Sequence, residues 1–264
     1  MTIIEAIILG IIQGLTEFLP VSSSGHIELG TVLLGVQSKD NLIFSVVVHS
    51  ATALSTIVVF RKDIADLFRG LFQFQWNESM QYIAKLLLSM IPVGLIAVFN
   101  KDQIEAFFGG DVLLVGFMLL LTATLLAMTY YARKEGGNVT YFKAIIIGMA
   151  QAIAILPGVS RSGATIATSL LIGVEKEKAA RFSFLMVLLP IIGASLLEVM
   201  DFLEAPELAG RISGTALGLG FVAAFVSGLL ACQWMLSIVK KGKLIYFAIY
   251  CFIVGVIAII AALT

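Results

Sequence analysis

A cluster of polar side chains lies near the amino terminus, in a chain that is otherwise strongly apolar. The cluster contains one amide, one carboxylate, three serine hydroxyls and one imidazole, on Gln13, Glu17, Ser22, Ser23, Ser24 and His26. Polar and ionisable groups at membrane depth are costly unless they are paired or wetted, so this cluster points to a functional site. A carboxylate and an imidazole near hydroxyls suit proton transfer to or from a reacting oxygen.

The spacing within this cluster leaves more than one role open for each group. Gln13 and Glu17 are four residues apart and share one face of a helix. Glu17 could act as a general base, a metal ligand or the partner of a cation, or it could be a satisfied structural carboxylate. Gln13 could serve the site or only hydrogen-bond a neighbouring helix. His26 follows Ser23 by three residues, so the two side chains could approach on the first turn of a helix. We expect His49 either to line the same cavity or to hydrogen-bond a neighbouring helix.

The three serines follow a proline and precede a short apolar run, which is the pattern of a helix amino terminus. Their hydroxyls could cap that helix by accepting from free backbone N–H groups. They could also join those N–H groups, at the positive end of the helix, in binding a phosphate. Both roles are compatible if different serines take them.

A second polar stretch, over 157–165, reads Pro-Gly-Val-Ser-Arg-Ser-Gly-Ala-Thr. Arg161 lies between Ser160 and Ser162, and Thr165 shares its face one helical turn later. Arg161 is the one arginine or lysine that the predicted spans place at membrane depth, where its charge must be neutralised. Its planar guanidinium suits phosphate oxygens, and the alternative is a salt bridge to the carboxylate of the first cluster.

Composition indicates an all-α integral membrane protein. Of 264 residues, 59% are hydrophobic and 13% charged, and the mean hydropathy is +1.04. Soluble domains carry about 25% charged residues. The formal net charge is zero, so the overall charge balance says nothing about nucleic acid or any other charged partner. From the apolar composition we expect membrane lipid as the surroundings and no nucleic-acid partner.

Six apolar runs are long enough, at roughly 18–25 residues, to cross the hydrocarbon core as helices. They are about Leu42–Phe60, Tyr82–Phe99, Val112–Tyr131, Phe182–Met200, Ser213–Ile238 and Leu244–Leu263. Two further apolar stretches, Ile3–Val36 and Tyr141–Val174, are interrupted by Pro, Gly and Ser. Each predicts two half-length helices that enter the bilayer and return on the same side.

The two interrupted stretches align without a gap at an offset of 138 residues, and they share Gln, Ser and Gly at fixed places. Likeness of composition alone is the competing explanation. We predict a single membrane domain over 1–264, built from repeats 1–137 and 138–264. Each repeat would hold one re-entrant helix pair and three transmembrane helices. Because three is odd, the repeats would have inverted topology, with a site near the midplane. The copies differ where chemistry is expected, since Glu17, Ser23 and His26 align with Ile155, Arg161 and Ala164.

Basic residues predict the orientation. Under this topology most of them lie in loops opposite the first re-entrant pair: Arg61, Lys62, Arg69, Arg133, Lys134, Lys143, Lys176, Lys178, Arg181, Lys240, Lys241 and Lys243. The same side as that pair carries Lys39, Lys101 and Arg211. The positive-inside rule then places both termini and the first re-entrant pair on the outer face of the cell membrane.

The two polar stretches resemble the signatures of the undecaprenyl-diphosphate phosphatase family of the bacitracin-resistance type. One signature is a Glu or Gln, then a Glu, then Pro-Val-Ser-Ser-x-Gly-His, and residues 13–26 match it. The other is Pro-Gly-x-Ser-Arg-Ser-x-x-Thr, and residues 157–165 match it. The resemblance extends over essentially the whole chain, and the one departure is Gln at position 13 where an acidic residue is common.

The resemblance implies a hydrolase that removes the terminal phosphate of undecaprenyl diphosphate and so recycles the lipid carrier for peptidoglycan and cell-wall biosynthesis. It implies essential roles for Glu17, His26 and Arg161. It places Ser23, Ser160 and Thr165 around the diphosphate, requires a divalent cation, and opens the site to the outer face.

We expect the diphosphate to lie against Arg161 and the half-helix amino termini, where Glu17 and His26 activate either Ser23 or water. A Mg²⁺ or Ca²⁺ ion would bridge the phosphates, with Glu17 as its candidate ligand. The remaining expected substrate-binding residues are Gln13, Ser22, Ser24, Ser160, Ser162 and Thr165. A transporter or flippase of a polyprenyl phosphate could use the same anion site without breaking a bond, and a phosphatase could act on another polyprenyl chain. A homo-oligomer is compatible with the sequence.

Overall fold

The computed structural model describes residues 1–36, 38–99, 111–132, 136–204 and 212–263, and this part of the chain consists of helices and their connecting turns, with one isolated β-bridge between Gly137 and Val174. The helices are α1 Ile3–Phe18, α2 Ser23–Leu34, α3 Ser38–Val59, α4 Arg61–Leu71, α5 Glu78–Phe99, α6 Val112–Met128, α7 Tyr141–Ile153, α8 Arg161–Leu171, α9 Lys176–Glu204, α10 Gly214–Lys241 and α11 Ile245–Leu263. A 3₁₀ turn over Thr129–Tyr131 extends α6. The all-α prediction is confirmed for these residues.

Within the described residues, four helical segments are long and apolar enough to cross a membrane: Glu78–Ile96, Val112–Tyr131, Gly214–Lys241 and Ile245–Leu263. Helix α3 makes a fifth span if it is counted with α4, which bends away from it by 75°. The chain is therefore a multi-pass membrane protein. The sixth predicted crossing, Phe182–Met200, lies within α9, and the side chains of 194–200 lie outside the described residues.

Both predicted breaks in the short apolar stretches are present. Helix α1 ends before Pro20, whose ring cannot continue the helical hydrogen bonding, and α2 begins after Ser22. The Ser22 Oγ atom accepts from the Gly25 N–H at 3.2 Å. Ser160 caps α8 in the same way, with a 3.0 Å hydrogen bond from the Gly163 N–H. The first function of Ser22 and Ser160 is therefore to start the second half-helix of each pair.

Glycine is required in the second break. Gly158 has φ +94°, and a Cβ atom there would lie 2.6 Å from the backbone oxygen of Val115 on α6. Both the backbone conformation and the close approach to α6 exclude a larger residue.

The two interrupted segments are also packed alike. Helix α1 lies along α10, and α7 lies along α5. Gly10 of α1 and Gly148 of α7 each face a backbone oxygen of the neighbouring helix, that of Gly220 and that of Ser89, too closely for a Cβ atom. The first half-helices begin at equivalent caps as well, since Thr2 and Thr140 each accept the hydrogen bond of the N–H three residues later.

The two breaks meet in the interior of the bundle. The Ser162 Oγ atom donates to the Leu19 oxygen at 3.3 Å, and a Cβ atom on Gly25 would lie 3.1 Å from the Gly158 Cα. Thr122 of α6 supports the second break by accepting from the Ser160 N–H at 3.0 Å. The amino termini of α2 and α8 thus lie beside each other, although about 138 residues separate them in the sequence.

Basic side chains form ion pairs where several helix ends meet. Lys240 of α10 pairs with Glu177 of α9 at 2.8 Å, and Arg181 of α9 pairs with Asp63 of α4 at 2.7 Å. These ends of α4, α9 and α10 therefore belong to one side of the bundle. Of the basic residues that predict orientation, Lys101, Arg133, Lys134 and Arg211 lie outside the described residues.

Candidate active site

Glu17 links the carboxyl end of α1 to the start of α2. Its Oε2 atom accepts a 2.6 Å hydrogen bond from the Ser23 Oγ and a 3.0 Å hydrogen bond from the Gln13 Nε2. The Glu17 side chain is only 7% exposed. A buried carboxylate needs such donors, and Gln13 supplies one from the same helical face, as the four-residue spacing predicts. The short bond from Ser23 aligns that hydroxyl for transfer of its proton to the carboxylate.

Arg161 reaches the same place from the other half of the chain, because it is the first residue of α8. It lines a small cavity together with Glu17. The other residues that line this cavity are Thr16, Ser23, Ser24, His49, Ala154, Val159, Ser160 and Ser162. A guanidinium, a carboxylate and four serines around one space form a place where an anionic group can bind beside a proton acceptor.

A second small cavity shares Glu17, Arg161 and Ser162 with the first. Its other lining residues are Phe18, Thr56, Thr165, Ser183, Phe184, Val187 and Ile191. Thr165 therefore lies in the adjoining space, and its hydroxyl is already bonded to the Arg161 oxygen at 2.9 Å.

The serines divide between capping and the cavity. Ser22 and Ser160 are buried caps, and each has its Oγ 3.3 Å from the hydroxyl two residues later, that of Ser24 or Ser162. Ser23 is the hydroxyl bonded to the carboxylate. Of the two roles that the sequence left open for the serines, capping is therefore seen directly for two of them.

His26 lies beside these groups in sequence but points elsewhere. Its Nδ1 atom is 2.8 Å from the Ser22 backbone oxygen, which can only accept, so Nδ1 carries the proton. Its Nε2 atom accepts from the Tyr250 hydroxyl at 2.8 Å, and the two rings are near parallel with centroids 5.6 Å apart. His26 lines neither cavity. The structure thus brings Glu17, Ser23 and Arg161 together and directs His26 towards α11.

His49 is the histidine of the cavity. It lies on α3, and its Nε2 atom is 3.8 Å from the Glu17 Oε2. Of the two expectations for His49, the structure selects the cavity-lining one. The only sequence signal was its polarity within an apolar helix; Tyr250 gave no signal, because it lies in an apolar run.

The oxygen donors of the site suit a hard divalent cation that takes most of its ligands from water and phosphate. Among the described residues, no group of three or more His, Cys, Asp or Glu side chains could hold a metal ion alone. Glu17 offers one carboxylate, and the Gln13 Oε1 atom is buried without a hydrogen-bond partner in the described part of the chain. Mg²⁺ commonly uses one or two carboxylates and completes its shell with water and substrate phosphates.

Comparison with known proteins gives full-length matches. A family model described as "Bacitracin resistance protein BacA" matches residues 6–257. An undecaprenyl-diphosphatase of Bacteroides fragilis is 56% identical over 259 residues, which cover 98% of this chain and 97% of that protein. One of Bacteroides thetaiotaomicron is 53% identical over the full length of both chains. One of Methanobrevibacter smithii is 37% identical over 282 residues, which cover 100% of this chain and 99% of that protein.

Proposed function

The chain belongs to the bacitracin resistance protein BacA family, and from that premise we propose that it hydrolyses undecaprenyl diphosphate to undecaprenyl phosphate and inorganic phosphate. One observation supports this proposal most directly. Glu17, Ser23 and Arg161, contributed by two distant parts of the chain, line one cavity. Hydrolysis of a phosphoanhydride needs a proton acceptor beside a positive charge. Here the Glu17 carboxylate accepts the hydrogen bond of the Ser23 hydroxyl, and the Arg161 guanidinium supplies the positive charge.

Arg161 and the amino termini of α2 and α8 bind the diphosphate. The guanidinium can grip two phosphate oxygens at once, and the amino ends of α2 and α8 add unsatisfied N–H groups and a positive dipole end. Both helices begin beside the cavity, at Ser23 and Arg161. The charge that develops on the transferring phosphoryl group is then met by fixed donors.

Glu17 is the proton acceptor of the proposed reaction. Two routes are compatible with its 2.6 Å bond to Ser23. In one, the Ser23 oxygen attacks the terminal phosphorus and water later hydrolyses the phosphoserine. In the other, water attacks directly and Ser23 orients the phosphate. A phosphoserine trapped at Ser23 during a single turnover identifies the first route, and its absence under the same conditions identifies the second.

A divalent cation, Mg²⁺ or Ca²⁺, would neutralise the phosphate oxygens when bound. Glu17 would hold it, with Gln13 Oε1 as a neutral second oxygen. The protein groups then orient the phosphate and move the proton, whichever ion is present.

We further propose that the two halves, 1–137 and 138–264, are inverted repeats with the termini and the site opening on the outer face. The equivalent caps at Thr2 and Thr140 and the equivalent close approaches at Gly10 and Gly148 support the repeat. The grouping of basic helix ends of α4, α9 and α10 on one side supports the orientation.

Release of inorganic phosphate from a C55 diphosphate by detergent-solubilised protein tests the function. We expect release by the wild type and almost none by Glu17→Ala. A carrier that only moves a polyprenyl phosphate across the membrane would release no phosphate in this assay, with either protein. Substrates of shorter chain length in the same assay test the tail preference.

A further inference from the structure

The hydrogen bonds of His49 determine which of its ring nitrogens faces the cavity as an acceptor. Its Nδ1 atom lies 2.8 Å from the Ser45 backbone oxygen, one helical turn earlier on α3. A carbonyl oxygen can only accept, so Nδ1 carries the proton. When the ring is neutral, Nε2 therefore presents its lone pair to the cavity, towards Glu17.

Two acceptors therefore face each other across the edge of the cavity. The His49 Nε2 and the Glu17 Oε2 are 3.8 Å apart, too far for a hydrogen bond between them and with no proton to share. The Nε2 lone pair is left to accept a hydrogen bond from the cavity, and the Glu17 Oε2, which already accepts from Ser23 and Gln13, can take one further donor. A water molecule about 2.8 Å from each atom can donate one hydrogen to each of them.

We propose that His49 and Glu17 together hold the water that attacks phosphorus, with His49 acting as a hydrogen-bond acceptor and not as a base. This inference rests on the phosphatase function proposed above and names a further residue of its site. A water that donates both hydrogens to these acceptors turns its lone pairs away from them. Arg161 lines the same cavity and holds the phosphate, so the lone pairs face the electrophile.

The proposed step balances without any further reactant. A bond forms between the water oxygen and phosphorus, either of the terminal phosphate or of the phosphoserine at Ser23. The bond from phosphorus to the bridging or serine oxygen breaks. The bridging oxygen keeps the electron pair as part of the product lipid phosphate, whereas the Ser23 oxygen takes up the proton that Glu17 receives from the water. The water proton that faces Glu17 passes to the carboxylate, and the one that faces His49 remains with the product phosphate. His49 stays neutral throughout.

Three variants on α3 test the role of His49. Glutamine at position 49 keeps an acceptor near the place of Nε2 but cannot act as a base, whereas leucine fills similar space without an acceptor. We expect His49→Gln to keep at least a third of wild-type kcat and His49→Leu to lose at least thirtyfold, with KM for the diphosphate unchanged in both. Ser45→Ala is the matched control and should behave as wild type: it removes the 3.2 Å contact of the Ser45 hydroxyl with Nδ1 but leaves the backbone oxygen, 2.8 Å away, that fixes the ring.

The outcomes separate this proposal from its rivals. A loss in His49→Gln as large as in His49→Leu would mean that a proton or a charge on the ring is needed, and would overturn the acceptor role. Normal kcat in His49→Leu would overturn it as well. A higher Mg²⁺ or Ca²⁺ concentration for half activation in His49→Leu, with kcat restored at saturation, would assign the space to the cation and reject the water. If the wild type itself released no phosphate, the proposed function would fail first.

Discussion

Glu17→Gln is the substitution that tests the proposed chemistry most sharply, because it keeps the size of the side chain and removes its ability to take a proton. The Ser23 hydroxyl can still donate to the amide oxygen, so the 2.6 Å contact has a neutral counterpart. A positioned general base contributes about 10²–10⁴-fold to a rate, or roughly 2.7–5.4 kcal/mol at about 1.36 kcal/mol per tenfold. We therefore expect kcat to fall by about 10²–10⁴-fold. At a saturating concentration of Mg²⁺ or Ca²⁺, KM should stay the same or decrease, because a negative charge no longer faces the anionic head group.

Glu17→Asp probes the geometry of the same contact. Removal of one methylene withdraws the carboxylate by roughly 1.5 Å. Its distance to the Ser23 hydroxyl then rises from 2.6 Å to about 4 Å, beyond hydrogen-bonding range. We expect a loss in kcat close to that of Glu17→Gln, although the charge is kept.

The assay is phosphate release from a C55 diphosphate over a range of substrate concentrations, with each protein shown to be monodisperse in detergent. Glu5→Gln is the matched control, since Glu5 lies at the other end of α1 and its amide analogue can still accept from the Thr2 N–H. If Glu17→Gln kept more than a tenth of wild-type kcat, Glu17 would not be the proton acceptor and the proposed mechanism would be wrong.

Three further predictions follow from other contacts of the site and its supports. Arg161→Lys should lose most activity, with KM raised at least tenfold in the phosphate-release assay, because a point charge lacks the planar fork; an unchanged KM would remove Arg161 from diphosphate binding. Gly158→Ala should lower the melting temperature in detergent and cost about 1–3 kcal/mol, because of its φ of +94° and the nearby Val115 oxygen, whereas Gly94→Ala, with open space around it, should be neutral. Chelation should abolish phosphate release and added Mg²⁺ or Ca²⁺ should restore it; full activity in chelator would argue against a cation at Glu17.

Local chemistry explains why much of the arrangement was predictable from sequence. Pro20 prevents continuation of α1, and Ser22 caps the start of α2, whatever surrounds them. Ser160 caps the start of α8 in the same way. An arginine and a glutamate at membrane depth must each find polar surroundings, which brings Glu17 and Arg161 to the same interior cavity.

The placement of the two histidines was not predictable, because it depends on partners that are remote in sequence. His26 hydrogen-bonds Tyr250, 224 residues later, and so points away from the cavity. His49 reaches the cavity because α3 packs beside α1, and the polarity of His49 alone did not indicate on which side of α3 it would lie. The 75° bend between α3 and α4 falls at the end of the predicted crossing Leu42–Phe60, but the residues after it form helix α4 where the sequence predicts a loop.

The local partners of Glu17 have a consequence for synthesis of the protein. The ribosome makes Glu17 long before Arg161, by roughly seven to thirty seconds at about 5–20 residues per second. During that interval the first helix pair can enter the bilayer with its carboxylate already bonded to Gln13 and Ser23, both within a few residues of it. The first half of the nascent chain therefore supplies the hydrogen-bond donors that the buried Glu17 carboxylate needs. It can remain in the bilayer until Arg161 has been synthesised.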